Sequence, residues 1–131
     1  MCIGILNLSR RDTTTPNSTL HTLSEVSRMK VYSMTDIGRV RQLNEDSCYQ
    51  PARGERFCAV ADGMGGHNGG ETASAGARDG MIAALQGKDA SLEALRDAVV
   101  QVNADLFRQQ AGDEKLAGMG TTLSIIWMSG H

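Results

Sequence analysis

The chain has 131 residues, of which 40% are apolar and 4% aromatic, and a formal net charge of -2. That length suits one domain or part of one, and the core must rest on Ala, Val, Leu, Ile and the seven Met rather than on aromatic rings. The small negative charge, with no long run of Lys or Arg, gives little support to nucleic-acid binding driven by counterion release, and no apolar stretch reaches bilayer-spanning length. A soluble, cytoplasmic protein with neither membrane nor nucleic-acid partners is expected.

Residues 1–29 differ from the rest. Met1 to Leu8 is briefly apolar, but Arg10 and Arg11 follow it instead of preceding it, opposite to a secretory signal. The Ser/Thr-rich stretch from Thr13 to Ser27 has little periodicity, so residues 1–29 are expected to form a disordered extension, with Met29 as an alternative start. Residues 30–131 are expected to form the folded unit.

Val31 to Thr35 and Ser47 to Tyr49 read as short strands around a turn-like segment, Asp36 to Asp46, and Gly54-Glu55 reads as a hairpin turn. Phe57 to Ala61 is continuously apolar, which predicts a strand covered on both faces. Glu71 to Gln86 reads as a helix ended by Gly87, carrying a small-residue stripe (Ala73, Gly76, Ala77, Gly80, Ala84) suited to lying close on a sheet. A second helix follows Ser91 as N-cap, with Leu92, Leu95, Val99, Val102 and Leu106 at helical spacing as a core face. Thr121 to Met128 reads as one more strand, entered through Gly118-Met119-Gly120. It lacks a following element to pair with, so the sequence reads as a domain cut partway through. Cys2, Cys48 and Cys58 show no metal-type pairing; reduced thiols are expected, with Cys48 and Cys58 as small strand fillers.

Two segments carry chemistry. In Val60 to Glu71 an apolar run ends on Asp62, and Gly63, Gly65, Gly66, Gly69 and Gly70 follow, so the carboxylate is expected at a strand tip beside backbone that a ligand can approach. Upstream, Thr35 to Asp46 supplies Arg41, Glu45 and Asp46. Taken singly, Asp62 would be a strand-to-helix turn residue, Glu45 and Asp46 a solvated turn, and Arg39 a surface charge. Together they suggest a hard-metal site that handles phosphate. Gly63 to Gly70 lacks the Lys-Ser/Thr ending of a P-loop and does not fit the dinucleotide fingerprint.

Thr35–Asp46, Val60–Ser74 and Gly118–Leu123, in that order and spacing, resemble the metal-dependent serine/threonine phosphatases of the protein phosphatase 2C type (the PPM family), particularly bacterial members. The resemblance implies an α+β fold, a four-layer α-β-β-α sandwich of two antiparallel sheets flanked by helices, of which this chain covers roughly the first half. It implies hydrolysis of phosphoserine and phosphothreonine in proteins by a water activated between two Mn²⁺ or Mg²⁺ ions. Asp62 would bridge the metals, the Gly63 carbonyl would ligate one, Glu45 would act through water, and Asp46 would lie outside the direct ligands. Arg41 would bind the substrate phosphate, its guanidinium fork meeting two oxygens at once. Phosphoproteins are the implied partners, a serine/threonine kinase the opposing enzyme, and a monomer the implied state of the intact protein.

Met64 stands where many eukaryotic members carry a histidine proposed as general acid, as in many bacterial members, and His67 is left out of the catalytic set. The family completes its metal site with Ser-Asp-Gly and Asp-Asn motifs that do not occur in these 131 residues. The chain alone is therefore expected to bind metal weakly and not to turn over. The alternative is a catalytically dead phosphatase-like fragment that binds a phosphoprotein or regulator.

Overall fold

The structure is a computed structural model and describes residues 2–7, 30–51, 56–65 and 69–128. The expected turn at Gly54-Glu55, and His67, lie outside the described residues. Among the described residues, six strands and two helices occur in the order β1 (Cys2–Asn7), β2 (Lys30–Thr35), β3 (Asp46–Tyr49), β4 (Phe57–Met64), α1 (Gly69–Leu85), α2 (Leu92–Gly112), β5 (Gly120–Thr121) and β6 (Ser124–Trp127), with a short 3₁₀ turn at Glu114–Leu116.

Strand β4 organises the sheet. Antiparallel β3 lies on one side of it, pairing Asp46 with Asp62 and Tyr49 with Ala59. On its other side β6 pairs Phe57 with Trp127 and Val60 with Ser124, and β5 pairs Gly63 with Thr121 and Met64 with Gly120. Phe57, Ala59, Ala61 and Gly63 are buried, while Cys58, Val60, Asp62 and Met64 are half-buried or exposed. The expected two-faced burial is thus corrected to alternation, with one face against the helices. Cys58 and Val60 concealed this in the sequence by being apolar themselves. A second correction concerns Asp62, which lies inside the strand and not at its tip, because pairing with β5 carries β4 on to Met64.

The single strand expected over Thr121–Met128 is two, with Thr122 and Leu123 between β5 and β6. β6 has a partner in β4. Within the segment expected to be an extension, Cys2–Asn7 pairs with β2 from Cys2 opposite Thr35 to Asn7 opposite Lys30. Isoleucine-rich sequence favours strand, and the ladder gives both segments' backbone groups partners. This ribbon touches β3 and β4. Residues 8–29 lie outside the described residues.

Helix α1 starts two residues before the expected Glu71 and ends at Leu85, followed by Gly87 at φ 75, a left-handed turn that glycine takes without steric cost. Ser91 caps α2 as expected: its Oγ accepts from the Ala94 N–H at 3.1 Å. Ala73 and Ala77 are fully buried, but the glycines of the small-residue stripe serve the neighbouring helix and not the sheet. A Cβ on Gly80 would lie 2.7 Å from Val102 Cγ2, and one on Gly76 2.9 Å from Leu106 Cδ2. Phe57, Ala77, Met81, Leu85, Ala98 and Val102 form the core between sheet and helices, joined by Tyr49, Leu95, Ile125 and Trp127. Burying a side chain as large as Phe57, Met81 or Leu85 stabilises the fold by about 1.5–3 kcal/mol. Among the described residues there is one helical layer, on that face of the sheet, and no helix is long and apolar enough to cross a membrane. Cys48 and Cys58 are free thiols, half-buried in β3 and β4.

Candidate functional site

Asp46 and Asp62 are direct partners across the β3–β4 ladder. The Gly63 N–H donates to the Glu45 carbonyl at 3.0 Å, on the β3 side of β4, and the Asp62 backbone groups point the other way, to Thr121 and Thr122. Asp46 and Asp62 therefore form a non-hydrogen-bonded pair, the closest cross-strand approach, about 4.5 Å between Cα atoms. Like charges placed so oppose the sheet rather than support it. A carboxylate pair of this kind suits a cation.

Glu45 turns to the other side. A Cβ on Gly70, in the first turn of α1, would lie 2.7 Å from Glu45 Oε1, so the carboxylate rests against the start of the helix. There the helix dipole favours negative charge. Glu45 Oε2 also accepts from Arg41 Nη1 at 3.0 Å; the Glu45 side chain is 18% exposed and that of Arg41 61%. Such an open pair contributes at most about 1 kcal/mol to stability. It fixes one end of the guanidinium and leaves its remaining N–H groups to the solvent side.

Gly63 is the tightest point of the site. A Cβ there would meet the Gly70 carbonyl oxygen at 2.0 Å and the Glu45 carbonyl oxygen at 2.6 Å. Upstream, Asp36 Oδ1 accepts from the Gly38 N–H at 2.7 Å, and Gly38 sits at φ 76. Asn44 links the segment's two ends: its side chain donates to Thr35 Oγ1 at 2.8 Å and accepts from the Asp46 N–H at 3.1 Å. The structure thus brings Asp46 to Asp62, Glu45 to Gly63, and Arg41 to Glu45. Sequence reasoning missed Asn44, whose place two residues before Asp46 is a usual side-chain-to-backbone spacing. It also gave Thr121 and Thr122 no role beyond membership of a strand. A cavity of about 580 Å³ between the end of α1 and the start of α2, lined by Lys88, Ser91, Asp97 and Gln101 among others, includes none of these residues.

The family model for protein phosphatase 2C matches residues 38–131. Serine/threonine protein phosphatase PstP of Mycobacterium tuberculosis is 40% identical over 109 residues, covering 79% of this chain and 20% of that protein. Serine/threonine phosphatase stp of Listeria monocytogenes is 36% identical over 97 residues, covering 68% of this chain and 38% of that one. Among solved structures, the crystal structure of the M. tuberculosis serine/threonine phosphatase PstP/Ppp superposes with a TM-score of 0.65 at 41% identity, over 72% of this chain and 40% of that chain. The catalytic domain of PstP in complex with two manganese ions gives 0.65 at 39% identity, over 72% and 41%. The antiparallel sheet and helix pair match part of the α+β fold of these phosphatase domains. The chain belongs to the protein phosphatase 2C family. It spans between about a fifth and two fifths of the length of the relatives named here.

Proposed function

We propose that the protein containing this chain hydrolyses phosphoserine and phosphothreonine esters of proteins, as a monomer opposed by a serine/threonine kinase, with two Mn²⁺ or Mg²⁺ ions as cofactors. The observation that carries this reading is the facing pair Asp46 and Asp62, set beside Gly63 and the Arg41–Glu45 ion pair.

The donor chemistry fits a hard cation, since every candidate contributor is an oxygen: the Asp62 carboxylate and the Gly63 carbonyl directly, Glu45 through water, and Asp46 beyond the direct ligands. Among the described residues no three His, Cys, Asp or Glu groups gather into a cation site, so these ligands are a partial set. When bound, such ions supply an easily deprotonated water and offset phosphate charge. Arg41 binds the phosphate through the guanidinium N–H groups not given to Glu45, and Glu45 fixes the orientation of that fork. Asp62 holds its carboxylate on the open face of β4, away from the helices. Cys48 and Cys58 sit in strands and play no nucleophilic part.

The test is manganese-dependent hydrolysis of a phosphothreonine peptide by the protein translated from the whole reading frame. Asp62→Asn should lower turnover by about a thousandfold, the scale of several kcal/mol of charge stabilisation. Undiminished turnover in that variant, or turnover in the presence of a chelator, would overturn the proposal. The 131-residue chain alone should not turn over. Its incomplete ligand set favours a second reading for the chain by itself, phosphoprotein binding without hydrolysis. Retention of the peptide by the chain, and its loss in Arg41→Ala, would support that.

A further inference from the structure

We infer that Thr122 is a positioning residue for Asp62, setting the direction of its carboxylate toward a divalent cation; the inference rests on the metal-site reading above. Between β5 and β6 the ladder along β4 is interrupted, and Asp62 sits opposite the interruption. In a regular antiparallel pair the Asp62 N–H would meet a backbone carbonyl. Here it donates to Thr122 Oγ1 at 3.1 Å. The Thr122 N–H in turn donates to the Asp62 carbonyl at 2.9 Å, and Thr121 Oγ1 donates to the same carbonyl at 3.1 Å. Thr121 Oγ1 also lies 2.9 Å from the Thr122 carbonyl, so its single proton is shared between two acceptors.

Both backbone polar groups of Asp62 are therefore held by residues 121 and 122: the N–H by the Thr122 hydroxyl, and the carbonyl by the Thr122 N–H and the Thr121 hydroxyl. The register is the same on both sides of the gap, with Val60 opposite Ser124 and Gly63 opposite Thr121, so Asp62 lies directly opposite Thr122 and only the acceptor of its N–H departs from the regular ladder. Replacing a carbonyl acceptor by a hydroxyl lets β4 depart from regular pairing at one residue without leaving the Asp62 N–H unmet. Thr122 is exposed and belongs to no core cluster, so its side chain has no packing duty among the described residues to account for its position.

The two roles separate in a comparison of Thr122→Val, which keeps the shape and loses the acceptor, with Thr122→Ser, which keeps the acceptor. The readouts, on the full 131-residue chain, are amide exchange at Asp62 and paramagnetic broadening of the Asp62 and Gly63 amide resonances by Mn²⁺ alone at millimolar concentration. Thr122→Val should speed exchange at Asp62 and require about tenfold more Mn²⁺ for the same broadening, the lower end of the effect of residues that orient metal ligands. Thr122→Ser should behave as the unsubstituted chain, and the urea midpoint should stay close to it in both. Should Thr122→Val not fold, Thr122→Ala is read in the same way. Asp62→Asn separates the two ideas. If it abolishes the Mn²⁺ response while Thr122→Val leaves it unchanged, the positioning role is overturned and the metal site stands. If Asp62→Asn leaves the Mn²⁺ response unchanged, the metal-site reading falls and the inference with it.

Discussion

Gly63 shows how a single residue type fixes the site. Its amide donates to the Glu45 carbonyl, and the space where a side chain would begin is taken by the Gly70 and Glu45 carbonyl oxygens at 2.0 and 2.6 Å. Those are backbone atoms of a strand entrance and a helix start, so neither can rotate away as a flexible side chain would. Gly63→Ala should therefore destabilise the fold by about 1–3 kcal/mol through overpacking, seen as a lower urea midpoint. Gly70→Ala makes a useful contrast. Its nearest clash is with the tip of the Glu45 side chain, which can swing aside. Most of the stability should survive, and the Arg41–Glu45 pair should be what changes.

At the scale of elements, the packing of α1 on α2 sets helix propensity against shape. Alanine is favoured over glycine within a helix by roughly 0.5–1 kcal/mol. At Gly80 the added methyl would meet the β-branched, buried Val102 at 2.7 Å, and the overpacking cost of about 1–3 kcal/mol should win, so Gly80→Ala destabilises. At Gly76 the neighbour is Leu106 Cδ2, at the end of a longer and only half-buried side chain, so the same change should be closer to neutral. Chemical denaturation of the two variants side by side checks the order. The helices themselves were legible in sequence because Ser91, Gly87 and the Leu/Val spacing are local signals, although of the expected core face only Leu95, Val102 and Leu106 join the core, and Leu92 and Val99 are exposed. The partner of the small-residue stripe was not, since Gly76 and Gly80 admit a helix or a sheet equally well on paper. The interruption between β5 and β6 was hidden for a related reason: Thr122 and Leu123 have good strand propensity, and only their partner strand reveals the break.

For the molecule as a whole, alkaline pH should weaken the fold through Cys58. Burial raises the pKa of its thiol, and a backbone hydrogen bond with Ile126 offsets this only in part. A raised folded-state value means the unfolded chain loses the proton first. The thiol's contribution is thus fully present below the unfolded thiol value and is lost as pH rises through the folded one. Urea midpoints taken from neutral to alkaline pH should fall, and fall less in Cys58→Val; an identical decline in both would reject the assignment. The architecture was recoverable from sequence to the extent that it rests on local patterns and on three motifs in register, Thr35–Asp46, Val60–Ser74 and Gly118–Leu123. The candidate site was legible as a set of residues but not as an arrangement. Sequence placed Glu45 and Asp46 together, whereas one lies against α1 and the other faces Asp62. The pairing of β1 with β2 was not legible: the apolar run from Met1 to Leu8 is visible in sequence, but nothing in it names its partner strand.

The contact between Asp62 and Thr122 joins residues 60 positions apart. Helices α1 and α2 lie wholly between them and are built from local contacts. Closing so long a loop costs entropy that only the finished sheet returns, and distant pairings of this kind form slowly. The expected order in folding is that the helical hairpin assembles before Asp62 meets Thr122, which pulse-labelled amide exchange of α1 against Asp62 would check. A chain emerging from the ribosome would carry Asp62 unaligned until Thr122 had also been made and docked.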